Sequence, residues 1–97
     1  MGQANLESEN SLVVVLREDR YETQFGDGYF AYFDAVFKTP ESAAAYVTTK
    51  TTKDTAYHLR NIRLIVRQDR IFIEGTLAEN EQITPAQVVK ALASDHQ

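Results

Sequence analysis

Six basic residues, Lys50, Lys53, Arg60, Arg63, Arg67 and Arg70, fall in one stretch of the chain and are opposed there only by Asp54 and Asp69. The stretch is cationic in a protein whose formal net charge is −4. Arginine grips phosphate or carboxylate as a two-pronged fork. These six residues are therefore the candidate anion-binding set, for a nucleic acid or another anionic ligand. The acidic total works against general affinity for nucleic acid. The simpler alternative is that the arginines pair with acids on the same sheet or across a dimer.

Other chemistry is thinly provided. The chain has no cysteine and two histidines, His58 and His96, and their spacing offers no zinc site. Glu18, Asp19, Glu22 and Asp34 could gather at one sheet end, but acid–base work needs a cleft that desolvates one member of a pair. A thin sheet-and-helix protein seldom supplies one, so a solvated acidic edge is expected. Gly26-Asp27-Gly28 suits a hairpin turn better than a phosphate nest. No phosphate-binding loop, dinucleotide fingerprint, serine-hydrolase elbow or zinc-protease helix motif occurs. The expectation is a protein that is not an enzyme, with no catalytic residues, no metal and no cofactor.

Aromatic residues give the second signal. The segment QFGDGYFAYFD (24–34) gathers Phe25, Tyr29, Phe30, Tyr32 and Phe33 around the Gly-Asp-Gly. With a three-residue loop at 26–28, Phe25 pairs with Tyr29, Thr23 with Ala31 and Tyr21 with Phe33. Polar and apolar sets then agree across the hairpin, and Gly28 supplies the positive φ such a loop needs. The odd-numbered residues Tyr21, Phe25, Tyr29, Phe33 and Phe37 become the core face. Phe30 and Tyr32 point outward.

The elements that must position these residues follow from periodicity. SLVVVL (11–16) is apolar at successive positions and reads as a buried central strand. REDR (17–20) suits a turn or strand end. Two helices announce themselves alike. Thr39 caps, Pro40 opens and Glu41 complements the dipole of a helix to about residue 50, with Ala43, Tyr46 and Val47 inward. Thr84, Pro85 and Gln87 start the second with a capping box, and Ile83 staples onto Val88. Between them, 57–77 reads as a hairpin turning at Gln68-Asp69. Ile65 lies opposite Phe72, Arg63 opposite Glu74, and Arg67 opposite Arg70, the last a like-charge pair that a looser turn would relieve.

The expected fold is α+β: a two-layer sandwich with a mainly antiparallel sheet of four to five strands and two helices on one face, in the order ββ(β)-α-ββ-α. Residues 1–10 form a flexible tail and 11–97 one domain, as 97 residues allow. The polar N-terminus is unlike a secretory signal, and LVVVL is too short to span a bilayer, so a cytoplasmic protein with no membrane partner is expected.

The open sheet face would then carry Phe30, Tyr32, Ile65 and Phe72, rimmed by Arg63 and Arg67. An apolar centre inside a charged rim is the usual anatomy of an interface. The expected function is a protein-interaction module that self-associates as a homodimer through this face, or meets another protein there. The alternative is nucleic-acid or anionic-ligand binding by the 50–70 segment. A third possibility is a small molecule held between helix and sheet near Tyr46 and Tyr57.

Overall fold

A computed structural model describes residues 8–94, apart from the side chain of Thr23. The order is β1 (Ser8–Thr23), β2 (Gly26–Phe37), α1 (Pro40–Lys50), β3 (Tyr57–Arg67), β4 (Arg70–Gly75), β5 (Glu81–Gln82) and α2 (Pro85–Ser94). The strands form one sheet in the order β4-β3-β1-β2-β5. All neighbours are antiparallel except β5, which runs parallel to β2. The protein is therefore α+β with a five-stranded mixed sheet, curled into a half-barrel. It is not the plain two-layer antiparallel sandwich expected from the sequence.

The helices correct that expectation further. Every residue from Leu12 to Leu16 is buried, and successive residues of a strand point to opposite faces. Leu12 and Val14 pack with Val36, Ile62, Leu64 and Val88 of α2. Val13 and Val15 pack with Ala43 of α1, beside Ala35, Phe37, Tyr46, Val47 and Tyr57. The two helices thus cover opposite faces, because a strand apolar at every position needs cover on both. Fully burying each of these aliphatic side chains contributes roughly 1.5–3 kcal/mol.

β1 corrects the reading of REDR as a strand end. The strand runs on for 16 residues, about 53 Å at the usual rise per residue, along a molecule 60 Å in its longest extent. β3 leaves β1 at the Tyr57–Arg17 pair, and beyond the Glu18 N–H, which donates to the Ala56 carbonyl, the strand has a described strand neighbour on one side only. The chain reverses at Gln24-Phe25, where Thr23 pairs with Gly26. Gly26 takes the positive φ, 123°, and Tyr21 faces Gly28 instead of Phe33. The register also shifts between Val15 and Leu16, which face Ala35 and Phe33 and leave Asp34 as the extra residue of a β-bulge. Phe33 therefore packs on the α2 face and Ala35 and Phe37 on the α1 face. The odd-numbered rings do not share one core face, and Phe25 is 89% exposed.

The remaining elements match their signals. Thr39 accepts from the Ser42 N–H at the start of α1, with Pro40 first and Glu41 in the first turn. The Thr84 N–H donates to Gln87 Oε1 at 2.9 Å and the Gln87 N–H to Thr84 Oγ1 at 3.2 Å, closing the capping box of α2. The second hairpin keeps its two-residue turn, with Gln68 at φ 50°, and pairs Arg63, Ile65 and Arg67 with Glu74, Phe72 and Arg70. The like-charge pair is relieved by side chains: Arg67 reaches Glu9 at 3.6 Å, and Arg70 lies over the Phe72 ring, 5.9 Å from its centroid. Of the tail expected over 1–10, residues 1–7 lie outside the described residues, and Ser8, Glu9 and Asn10 pair with β3. Among the described residues, no helix is long and apolar enough to cross a membrane.

Candidate functional site: a projecting hairpin and its polar base

The expected interface residues fall into two groups. Ile65 faces Glu9 and Phe72, whereas Phe30 faces Asp19 and Tyr32 faces Arg17. Ten residues of strand separate Glu9 from Asp19, about 33 Å, so the Ile65–Phe72 pair and the Phe30–Tyr32 pair occupy opposite ends of the sheet. At the first end Ile65 is only 3% exposed. Arg63 bonds Glu9 at 2.6 Å and contacts Glu74, and Arg67 approaches the same Glu9. Both arginine charges are thus offset by carboxylates at this end.

The six candidate anion-binding residues are dispersed. Arg60 projects to the α2 face and Arg63 and Arg67 to the other, by strand alternation. Lys50 lies 5.4 Å from the Tyr46 ring centroid at the end of α1, Lys53 is exposed in the following loop, and Arg70 is at the β4 hairpin. His96 lies outside the described residues. Tyr46 and Tyr57 belong to the packed α1 core. An open groove of about 830 Å³ instead runs past Ser11, Asn61, Arg63 and Glu74.

The other end of the sheet is different. Beyond Glu18 and Ala31, β1 and β2 pair with no other described strand and project as a two-stranded arm. On its α1-side face stand Tyr21, Phe30 and Tyr32, exposed by 42%, 40% and 39%. The Tyr21 and Phe30 centroids are 5.3 Å apart and those of Phe30 and Tyr32 6.3 Å. These rings form a contiguous row. Tyr21 lies across Gly28, where an added Cβ would come within 2.5 Å of its ring oxygen.

The opposite face of the arm is tied to the body by a polar cluster. Glu18, its side chain 9% exposed, accepts from His58 Nε2 at 2.8 Å and from Arg20. The two hydrogen bonds, Arg20's first, hold its carboxyl below the ordinary value. An ionised carboxylate only accepts, so His58 Nε2 carries the proton. The Tyr29 ring stacks on His58 at 5.2 Å, 5° from parallel. Beside it, Glu81 is fully buried at its side chain. Its Oε1 accepts from Arg60 Nε at 3.1 Å and from the Ala78 N–H at 2.8 Å. Its Oε2, which has no well-aligned hydrogen bond, lies 2.5 Å from Arg60 Nη2. Burial pushes the Glu81 carboxyl up, but the Arg60 guanidinium and the Ala78 amide outweigh it and hold the group below its ordinary value. Asn80 completes the join: its Nδ2 donates to the Tyr29 carbonyl, and its own carbonyl accepts from the Ala31 N–H, both at 2.8 Å. Across the sheet, the Tyr46 hydroxyl donates to Asp34 Oδ2 at 2.5 Å. Burial first, then that bond, pushes the hydroxyl up to about 12.

This cluster was missed by sequence reasoning, which set Glu18 on a solvated edge and had no partner for His58. Glu18 and His58 are 40 residues apart, so only the register of β1 against β3 brings them together. The carboxylates of the cluster are held by His58, Arg20 and Arg60, and it contains no cysteine or serine nucleophile. Among the described residues, no group of three or more His, Cys, Asp or Glu side chains could hold a metal ion. Comparison with protein-family models, with curated proteins and with solved structures finds no match to this chain.

Proposed function

We propose that the protein is a small, cytoplasmic, non-enzymatic interaction module that self-associates as a homodimer through its projecting hairpin. One observation carries the reading: Tyr21, Phe30 and Tyr32 form a contiguous, about 40% exposed ring row on the arm face opposite the polar cluster. Two-stranded ribbons are marginal in water by themselves, and contiguous exposed apolar surface is characteristic of contact sites. The polar base supports the same reading, since it holds the ribbon out from the body. The anionic-ligand alternative is weaker, because Arg60, Arg63 and Arg67 already hold carboxylates.

Sedimentation equilibrium tests the proposal. A mass of two chains is expected at high micromolar concentration, and the Phe30→Glu, Tyr32→Glu double variant should sediment as one chain with an unchanged circular dichroism spectrum. A wild-type protein that stays monomeric at that concentration overturns it.

A further inference from the structure

The arm exposes an edge as well as a face. The Glu18 N–H donates to the Ala56 carbonyl, 2.9 Å away on the β3 side. Backbone groups of alternate residues in a strand point to the same neighbour, so the N–H and C=O of Arg20 and Glu22 point to that side too. β3 ends opposite Arg17, and no described strand pairs with β1 beyond it on this edge. An edge of this kind is a template for another chain. The outer edge of β2 is not equivalent, since Asn80 and β5 occupy it at Tyr29, Ala31 and Tyr32.

We infer that a second copy of this chain adds to the outer edge of the β1 arm, antiparallel and with Tyr21 on the twofold axis. The inference rests on the self-association proposed above and names its mode. In a twofold pairing each residue meets the same partner twice, and hydrogen-bonded positions must face hydrogen-bonded positions. Three registers satisfy this near the arm's centre. One centred on Arg20 opposes two arginines, and one centred on Glu22 opposes two glutamates, which is unfavourable. The register centred on Tyr21 sets Arg20 against the partner's Glu22, and does so twice. Glu22 has no ion pair among the described residues, and Arg20, bonded through Nε to Glu18, keeps its remaining N–H donors. The same register brings the two copies' Tyr21 rings together, each already beside its own Phe30. Two marginal ribbons become one four-stranded sheet with a continuous ring row.

Sedimentation of charge and proline variants tests this. Glu22→Lys opposes like charges at both pairs, so the dimer Kd should rise by about tenfold or more, and adding Arg20→Glu should restore it. Glu22→Pro removes an outward N–H, which an unpaired edge tolerates and a paired one does not. It should give a folded monomer by circular dichroism and mass. If Glu22→Lys and Glu22→Pro both dimerise like wild type while Phe30→Glu, Tyr32→Glu does not, the edge register is overturned and self-association through the ring face stands. A wild-type monomer removes both.

Discussion

β1 passes through two surroundings without a break. From Leu12 to Leu16 it lies between β3 and β2, with a helix over each face. From Asp19 to Thr23 it has β2 on one side and solvent on the other. The backbone is the same extended ribbon in both halves, and the side chains differ. The first half is aliphatic at every position. The second, from Asp19 to Thr23, sets three charged residues around a single ring, Tyr21, so its cross-strand pairs contribute only about 0.2–1 kcal/mol each. Extended structure persists where the packing that normally justifies it has stopped. Buried polar groups fasten this arm to the body at its base.

The sharpest way to break this contrast is to remove burial from each half in turn. Leu16 is fully buried at the point where the body gives way to the arm. Leu16→Ala should destabilise the protein by about 2–5 kcal/mol, a large part of the stability of a domain this size. Phe30→Ala, in the arm, removes a larger side chain but should cost under about 1 kcal/mol in a dilute, monomeric sample. Urea titrations of both variants measure the difference. Equal losses would mean that the arm is packed as the body is.

The polar base is the hinge of the comparison. Arg60→Ala leaves the Glu81 carboxylate buried without its fork. Loss of one partner from a buried pair costs about 3–5 kcal/mol, and since Arg60 is itself a third exposed, about 2–4 kcal/mol is expected here. The pH dependence sharpens the test. Glu18 and Glu81 both titrate below the ordinary 4.5 in the folded chain, so their contribution is present above 4.5 and is lost as pH falls through the folded values. In Arg60→Ala burial acts on Glu81 with its strongest opponent gone. The acid loss through Glu81 should shrink or reverse, while that through Glu18 persists. Thermal melts of both proteins at neutral and mildly acidic pH read this directly.

The helices and the β3–β4 hairpin were legible because their determinants are local. Thr39-Pro40 and Thr84-Pro85 cap within one turn, and Gln68-Asp69 fixes its own register. The burial of β1 was written in Leu12–Leu16, apolar at five successive positions, but both helices were expected on one face and they cover the two faces instead. The β1–β2 register was not legible. Alternation favoured a turn at Gly26-Asp27-Gly28, but the observed turn at Gln24-Phe25 lets Tyr21 lie across Gly28. The Asp34 bulge then reverses the parity of everything after it. Asp34 is held toward α1 by Tyr46, a contact between residues 12 apart, and no local pattern announces it. Of the candidate site, Phe30 and Tyr32 were recognised as outward-facing. Their neighbour Tyr21 was assigned to the core, and Ile65 and Phe72 could be separated from them only by seeing how far β1 runs.

Two glycines allow the finest comparison, because the same methyl group can be added in each half. A Cβ at Gly75, where β4 faces Ile62, would meet the Asn61 carbonyl oxygen at 2.9 Å and the Ile62 Cα at 3.2 Å. Both are backbone atoms of a central strand and cannot step aside, so Gly75→Ala should cost about 1–3 kcal/mol. A Cβ at Gly28 would meet the Tyr21 ring closer still, at 2.5–2.8 Å. That ring is the far end of a flexible, half-exposed side chain and can swing into solvent. Gly28→Ala should therefore shift the melting temperature least of all these variants, despite the shorter contact, while tyrosine fluorescence reports the displaced ring. If Gly28→Ala proves the costlier of the two, the Tyr21 ring is held as firmly as core, and the distinction between a packed body and a presented arm fails at its most sensitive point.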